Sequence, residues 1–358
     1  HEAFARRRVR AHVALVGAGA LGRRLLALLA ARADAYREAG VALHLAAVAD
    51  SRRLALHPEG FRPEHALDVL AGAPAADTEA LVRTLAGARL ERLVVVDATA
   101  SEALAARHAD LLRAGVAVVT PNKAVTARDA DGWAEAARAA RTGEAPYLYE
   151  AAVGAGLGVV ARLRDLIRTG DRVHRVEGVL SGTLAFVFDA MRRGEPFSAA
   201  VRAAQATGLT EPDPREDLSG RDVARKLALL AYEMGLAADP RTADVASLVP
   251  PDLAALPLEA FWERLGETDA AWAERCARAE GALHYVARLD ADGRIRAGVE
   301  AVAPGAPFDG LRGASVAVAF HTARYGAEPF VIRGPGATAD VTAAVLLADI
   351  ARAAEAMR

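Results

Sequence analysis

Lysine and cysteine are nearly missing from this chain. Of 44 Lys plus Arg in 358 residues, only two are lysine, Lys123 and Lys226. The single cysteine, Cys276, excludes a disulfide within the chain and argues against a cysteine-built metal centre. Such usage fits a reducing compartment. Long apolar runs are absent too: "LLALLAA" is bounded by Arg24 and Arg32, far short of a membrane span. The N-terminal stretch lacks the basic, apolar, small-residue order of a secretory signal, and the Arg6–Arg8 run with Arg10 reads as a solvated extension. A formal net charge of −2 gives no basic excess with which to hold nucleic acid or an anionic membrane surface. With 53% hydrophobic and 25% charged residues, the chain has core enough for two or three globular domains. A cytoplasmic enzyme is the expectation.

Over the first 150 residues, short β-branched runs alternate with helical stretches. "HVALVG" (12–17), "LHLAAVAD" (43–50), "LVVVDAT" (93–99) and "VAVVTP" (116–121) are almost continuously apolar, as strands buried on both faces of a parallel sheet must be. Between them, "LGRRLLALLAARADAYREA" and "SEALAARHADLLRAG" carry apolar residues at helical spacing. Alternating β and α predicts an α/β fold with a doubly wound parallel sheet. The pattern then changes. A glycine-rich turn follows "PYLYE", helices end at Gly170 and Gly194, and a polar, proline-rich loop spans 207–220 before a helix near Arg221. Strand-like runs return after residue 280, and the chain closes on the helical "DVTAAVLLADIARAAEAM". The second region is therefore expected to be an α+β domain set before a final helix.

"GAGALG" (17–22) is G-x-G-x-x-G between the first strand and a helix. Gly17 permits the tight turn, Gly19 the approach of a pyrophosphate, and Gly22 close strand–helix packing. Ala20 and Leu21 open the helix whose N–H groups face the phosphates. The plain alternative is a glycine-rich turn without a ligand. Asp50 ends the second strand, where an acid would bond an adenosine ribose. Arg52 and Arg53 follow and suit a 2′-phosphate, so NAD and NADP both stay open. Thr99 ends a strand at the same edge, placed to touch the nicotinamide half, while Ser101 suits a helix N-cap. Lys123, in "TPNK", ends the next strand.

The most informative stretch is "TEPDPREDLSGRDVARK" (210–226). Glu211, Asp213, Glu216, Asp217 and Asp222 crowd around two prolines, and Asp222 and Lys226 share one helix face at i, i+4 spacing. The bland reading is an acidic surface loop with a salt bridge. The apolar "LALLAYEMG" that follows places Lys226 at the edge of a buried helix, where its charge needs partners.

Taken in order, "GAGALG", "TPNKAV", "YEAAVGAGLG", "VEGVLSGTL", "GLTEPDPREDLSGRDVARKLALLA" and "GPGATADVTA" resemble the homoserine dehydrogenase family over most of the chain. The resemblance implies a Rossmann-type NAD(P)-binding domain (1–148), a substrate-binding and dimerisation domain (149–333) and a C-terminal helix (334–358) returning to the first domain. It implies a homodimer formed partly through the second region's sheet, and the short form without a C-terminal regulatory domain. The activity implied is NAD(P)-dependent interconversion of L-aspartate 4-semialdehyde and L-homoserine, a step of threonine, methionine and isoleucine biosynthesis. By position, Lys226 would be the acid–base, with Lys123 a second lysine near the reacting carbon and a contact to cofactor and substrate. Glu211, Asp217 and Asp222 would hold the substrate's ammonium or orient Lys226, with Gly182 and Thr183 also at the substrate. Gly336 and Thr338 would join Gly17, Gly19, Ala20, Leu21, Gly22, Asp50, Arg52 and Thr99 at the cofactor. The backbone of Glu150, Val153, Ala155 and Leu157 matches a sodium or potassium site of the family. Two positions depart from the family pattern: Ala185 stands where asparagine is frequent, and Thr338 replaces a glycine.

Aldehyde reduction needs a hydride donor at the carbon and a proton for the forming alkoxide. A lysine can release and recover that proton; an arginine stays charged. Rival readings are another amino-acid oxidoreductase, against which the spacing of the acidic loop speaks, and a non-catalytic NAD(P)-binding sensor, which has no use for both lysines. Aspartate-semialdehyde dehydrogenase needs a nucleophilic cysteine, and Cys276 lacks catalytic surroundings.

Overall fold

The computed structural model describes residues 9–124 and 130–357; the Arg6–Arg8 run and Val125 of "TPNKAV" lie outside the described residues. The chain divides into two compact units, one of residues 1–156 with 338–358 and one of 157–337.

The first unit is built on a six-stranded sheet in the order β3-β2-β1-β4-β5-β6. The strands are β1 (Val9–Val16), β2 (Val41–Ala49), β3 (Leu54–Leu56), β4 (Leu93–Asp97), β5 (Ala117–Val119) and β6 (Tyr147–Leu148). All neighbours are parallel except β3, which runs antiparallel to β2. Every residue of β4 and the last six of β1 are buried, which is why these runs are apolar without alternation. Val13, Leu15, Leu25, Leu29, Val94, Val96 and Val119 form the core with Leu346, Leu347 and Ile350 of the C-terminal helix (Ala339–Ala356). Strand order reverses between β1 and β4, so a crevice is expected beyond their carboxyl ends. The edge strand β3 was not foreseen: three residues ahead of Pro58 are too short to show a period.

The second unit is α+β, as the switch in pattern predicts. Its six-stranded sheet runs β12-β11-β7-β9-β10-β8. The strands are β7 (Val173–Val179), β8 (Asp244–Val245), β9 (Ala282–Asp290), β10 (Ile295–Val302), β11 (Ser315–Thr322) and β12 (Phe330–Pro335). Only the β8–β10 pair is parallel. The helix Gly182–Arg192 follows β7 directly, and the helix Arg221–Glu233 packs on β9 and β10. Within the 207–220 stretch read as loop, Pro214–Leu218 forms a short helix. Pro214 suits its first turn, and the Asp213 carboxylate accepts the Arg215 N–H at 3.0 Å. Among the described residues no helix is long and apolar enough to cross a membrane.

An ionic cluster around the buried Glu177 ties three central strands of this sheet. The Glu177 carboxylate on β7 accepts from Arg288 Nε of β9 at 2.7 Å and faces His321 Nε2 of β11 at 2.9 Å, with Arg175 Nε at 3.3 Å. Burial alone would raise the Glu177 carboxyl, but Arg288, His321 and Arg175 outweigh it and hold the carboxyl below the ordinary glutamate range. A depressed carboxyl contributes stability that is fully present above its unfolded value and is lost as pH falls through the folded one. The melting temperature should therefore drop steeply below about pH 4, and Glu177→Gln should flatten that drop. At neutral pH the variant should melt roughly 2–4 °C lower, as a loss near 1 kcal/mol gives in a unit of this size. Parallel pH–melting curves for the two proteins would refute the role given to Glu177.

Candidate active site

In the first unit the residues expected at the cofactor gather at the β1/β4 reversal. Gly17 adopts φ +110°, and a side chain there would strike the Ala98 carbonyl oxygen at 2.8 Å and the Thr99 methyl at 3.0 Å. Gly22 lies so close to the Gly17 carbonyl that no Cβ fits without backbone movement. Gly19 differs, since a Cβ built on it meets nothing within 4 Å. The protein keeps that space clear. Ala20 and Leu21 begin the helix Ala20–Glu38, whose N-cap, Gly19, offers no side chain to its N–H groups. Tight turn, clear space and uncapped helix start fit a dinucleotide pyrophosphate.

Asp50 sits in the tight turn between β2 and β3. Its Oδ1 accepts the Arg52 and Arg53 N–H groups, each at 2.8 Å. Arg53 donates to the Ala71 carbonyl at 2.8 Å, and Arg52 is exposed. Thr99 packs against Gly17, but its hydroxyl points inward, donating to Asp97 Oδ1 at 2.6 Å and accepting the Ser101 N–H at 3.0 Å. Ser101 caps the next helix through the Leu104 N–H. Lys123 follows β5 at the same edge, half-buried. Glu150 and Ala155 begin two short 3₁₀ turns with the extended Val153 between them, and Gly154, Ala155 and Gly158 all take left-handed backbone angles; Leu157 begins the second unit. Thr338 caps the C-terminal helix by accepting the Val341 N–H at 3.2 Å, which gives a physical reason for threonine in place of glycine there.

The second unit carries the other cluster. Lys226 Nζ lies 2.8 Å from Asp222 Oδ2 and donates to the Leu180 carbonyl oxygen at 2.9 Å, with only 15% of its side chain exposed. Leu180 follows β7, and Ser181 caps the helix that begins at Gly182 through the Leu184 N–H at 3.2 Å. Thr183 shares its hydroxyl between the Leu209 carbonyl, at 2.5 Å, and Asp217 Oδ1, at 3.1 Å. Asp217 Oδ2 accepts the Glu211 N–H at 2.8 Å. Burial, first, and then the charges of Glu211 and Asp222 push the Asp217 carboxyl above the ordinary aspartate range, against the hydrogen bonds from Glu211 and Thr183. Negative charge is in excess here, which is the electrostatic demand of a site for an ammonium group. Gly336 packs near Gly182, its N–H donating to the Ala314 carbonyl at 3.1 Å. Ala185 is buried with Val179, Val286, Ala317 and Ala319, an environment that suits alanine.

Residues 17–150 match the model described as the NAD binding domain of homoserine dehydrogenase, and residues 159–351 match the model of homoserine dehydrogenase itself. The chain belongs to the homoserine dehydrogenase family. A homoserine dehydrogenase of Emericella nidulans is 40% identical over 279 residues, covering 74% of this chain and 76% of that protein. The bifunctional aspartokinase/homoserine dehydrogenase 2 of Escherichia coli is 38% identical over 360 residues, covering 99% of this chain and 44% of that protein. The chain spans less than half the length of the bifunctional relatives it matches. A Candida auris protein of unknown function has the same fold, with a TM-score of 0.87, 31% identity and coverage of 98% and 99% of the two chains. The glycine-rich turn lies at the start of the stretch matched as an NAD binding domain, and its shape is the one a dinucleotide pyrophosphate requires.

Sequence reasoning passed over part of the first unit. Asp97, His108, Thr120, Asn122 and Tyr147 are buried and connected behind Thr99 and Lys123. One signal was available: Asn122 is the only asparagine of the 358 residues.

The two fingerprint glycines should separate stability from binding. Gly22→Ala should destabilise the fold by roughly 1–3 kcal/mol, as overpacking does. Gly19→Ala should leave stability near that of the parent but weaken NADPH or NADH binding about tenfold, by filling the cleared space. Chemical denaturation with nucleotide titration checks both; a Gly19→Ala protein that binds normally would remove Gly19 from the site.

Proposed function

We propose that this chain interconverts L-aspartate 4-semialdehyde and L-homoserine with NADP or NAD, as a step of threonine, methionine and isoleucine biosynthesis. What supports this above all is Lys226, drawn between the Asp222 carboxylate and the Leu180 carbonyl beside a surplus of carboxylates. A bound nicotinamide supplies or accepts the hydride. Lys226, as the proposed catalytic acid, hydrogen-bonds the aldehyde oxygen and passes its proton to the oxygen as the alkoxide forms; in the reverse direction the neutral amine removes the hydroxyl proton. Asp222 and the Leu180 carbonyl hold Nζ in place through both steps. Glu211 and Asp217 take the substrate's ammonium, next to Gly182 and Thr183, and Lys123 of the first unit is the proposed second lysine. Asp50 and Arg52 are the proposed contacts to the adenosine ribose, Thr99 that to the nicotinamide half, and Gly336 and Thr338 further cofactor contacts.

The backbone of Glu150, Val153, Ala155 and Leu157 is the proposed seat of a sodium or potassium ion, since tight turns that expose carbonyls suit hard cations. The proposed working form is a cytoplasmic homodimer built partly through the second sheet, whose strand β12 leaves Val331 exposed.

Lys226→Ala should keep the fold and lose roughly 10²–10⁴-fold in turnover. Lys226→Arg should fail as well, because charge alone does not return the proton. Glu211→Ala should chiefly raise KM for the semialdehyde. Oxidation of NADPH and of NADH, followed separately with aspartate semialdehyde, checks all three; normal turnover by Lys226→Ala ends the assignment. Nucleotide binding without oxidation by the parent protein would point to a sensor.

A further inference from the structure

We propose that Asp97, His108 and Asn122 are positioning residues that hold Thr99 and Lys123 in register for hydride transfer; this rests on the dehydrogenase reading above. Asp97 and His108 are 0% exposed and Asn122 is 6% exposed. One carboxylate collects donors from three segments. Asp97 Oδ1 accepts the Thr99 N–H at 2.9 Å and the Thr99 hydroxyl at 2.6 Å. Asp97 Oδ2 accepts Asn122 Nδ2 and His108 Nε2, each at 3.0 Å. Asn122 then fixes the backbone on both sides of Lys123. Its own N–H donates to Thr120 Oγ1 at 2.9 Å, and its Oδ1 accepts the Ala124 N–H at 2.9 Å. The same side chain donates to the Ser101 carbonyl at 3.1 Å, and the Thr120 hydroxyl donates to the Asp97 carbonyl at 2.9 Å, joining the ends of β4 and β5 a second time.

His108 closes the network. A carboxylate only accepts, so Nε2 donates to Asp97, and Nδ1 pairs with the Tyr147 hydroxyl at 3.1 Å. Tyr147 is fitted to donate, because burial, foremost, keeps its phenol protonated. A buried carboxylate costs stability unless it is well bonded, and an apolar side chain would fill the same core without that cost. What the apolar side chain cannot do is fasten two ligand-edge loops to one point. The composition agrees: a chain with one asparagine and two lysines sets Asn122 and Lys123 side by side.

The test uses the full chain with His108→Leu, His108→Gln and Asn122→Ala. Glutamine can donate to Asp97 and accept from Tyr147; leucine can do neither. His108→Leu should lower kcat about tenfold, through misplacement at the reacting centre. It should weaken NADPH and NADH binding, read by nicotinamide fluorescence, about fivefold. KM for the semialdehyde should move less than about twofold, and His108→Gln should recover most of both losses. A purely structural role would lower the melting temperature and leave kcat per folded molecule and nucleotide affinity unchanged; that result overturns the proposal, as does a glutamine variant no better than leucine. Should His108→Leu fail to fold, Asn122→Ala decides, with the same losses expected and unchanged kcat and affinity as the refuting result. If the parent protein turns over no semialdehyde, the dehydrogenase reading falls, while the nucleotide titrations still decide whether these residues position the loops.

Discussion

A carboxyl group without access to water must be surrounded by hydrogen-bond partners, and Asp97 imposes that requirement where β4 ends. Moving such a group out of water costs several kcal/mol unless its lone pairs are filled. Four donors fill them, from Thr99 (twice), Asn122 and His108, and each lies on a different turn of chain from the strand that carries Asp97. The constraint spreads from there. Thr99 cannot leave its place without exposing Oδ1, so it stays packed on Gly17, and Gly17 in turn has no room for a side chain against Ala98. The glycine-rich turn and the loops after β4 and β5 are thus parts of one fixed edge, held because parallel strands bring their carboxyl ends together.

The second unit treats its carboxylates in the opposite way. Glu211, Asp217 and Asp222 approach one another with Lys226 paired to Asp222, and the Asp217 carboxyl is driven upward by burial and by its acidic neighbours. Asp97 is saturated with donors and therefore suits a scaffold. The acidic cluster is short of positive charge and therefore suits the capture of a cation. The ammonium of the proposed amino-acid substrate would relieve that deficit by binding rather than by folding. The two clusters place the same functional group in different electrostatic surroundings.

Local features were legible in the sequence. Doubly buried strands such as β4 appear as unbroken apolar runs, the G-x-G-x-x-G turn is six consecutive residues, and the Asp222–Lys226 pair is one helical turn. Features that depend on folded neighbours were not. The short helix Pro214–Leu218 is hidden by its own capping residues, since proline and aspartate mark loops equally well. His108 stands in an amphipathic helical stretch 11 residues from Asp97 and 39 from Tyr147, and nothing in one dimension says that these three meet. For Asn122 the signal was present in composition but lay beside the more conspicuous Lys123.

Scarcity becomes informative when it is joined to geometry. Across the surface, arginine makes the routine ion pairs, as with Asp34, Asp239 and Glu267. Its planar fork suits paired carboxylate oxygens, and nothing in those places asks for a removable proton. The Lys226 pocket asks for something else. A compact ammonium reaches the Asp222 carboxylate and the Leu180 carbonyl at 2.8 and 2.9 Å from one helix position. A guanidinium is broader and carries its donors in one plane, so it would not reproduce both contacts from that position. Lysine at 226 therefore follows from the site's geometry independently of how the rest of the chain came to prefer arginine.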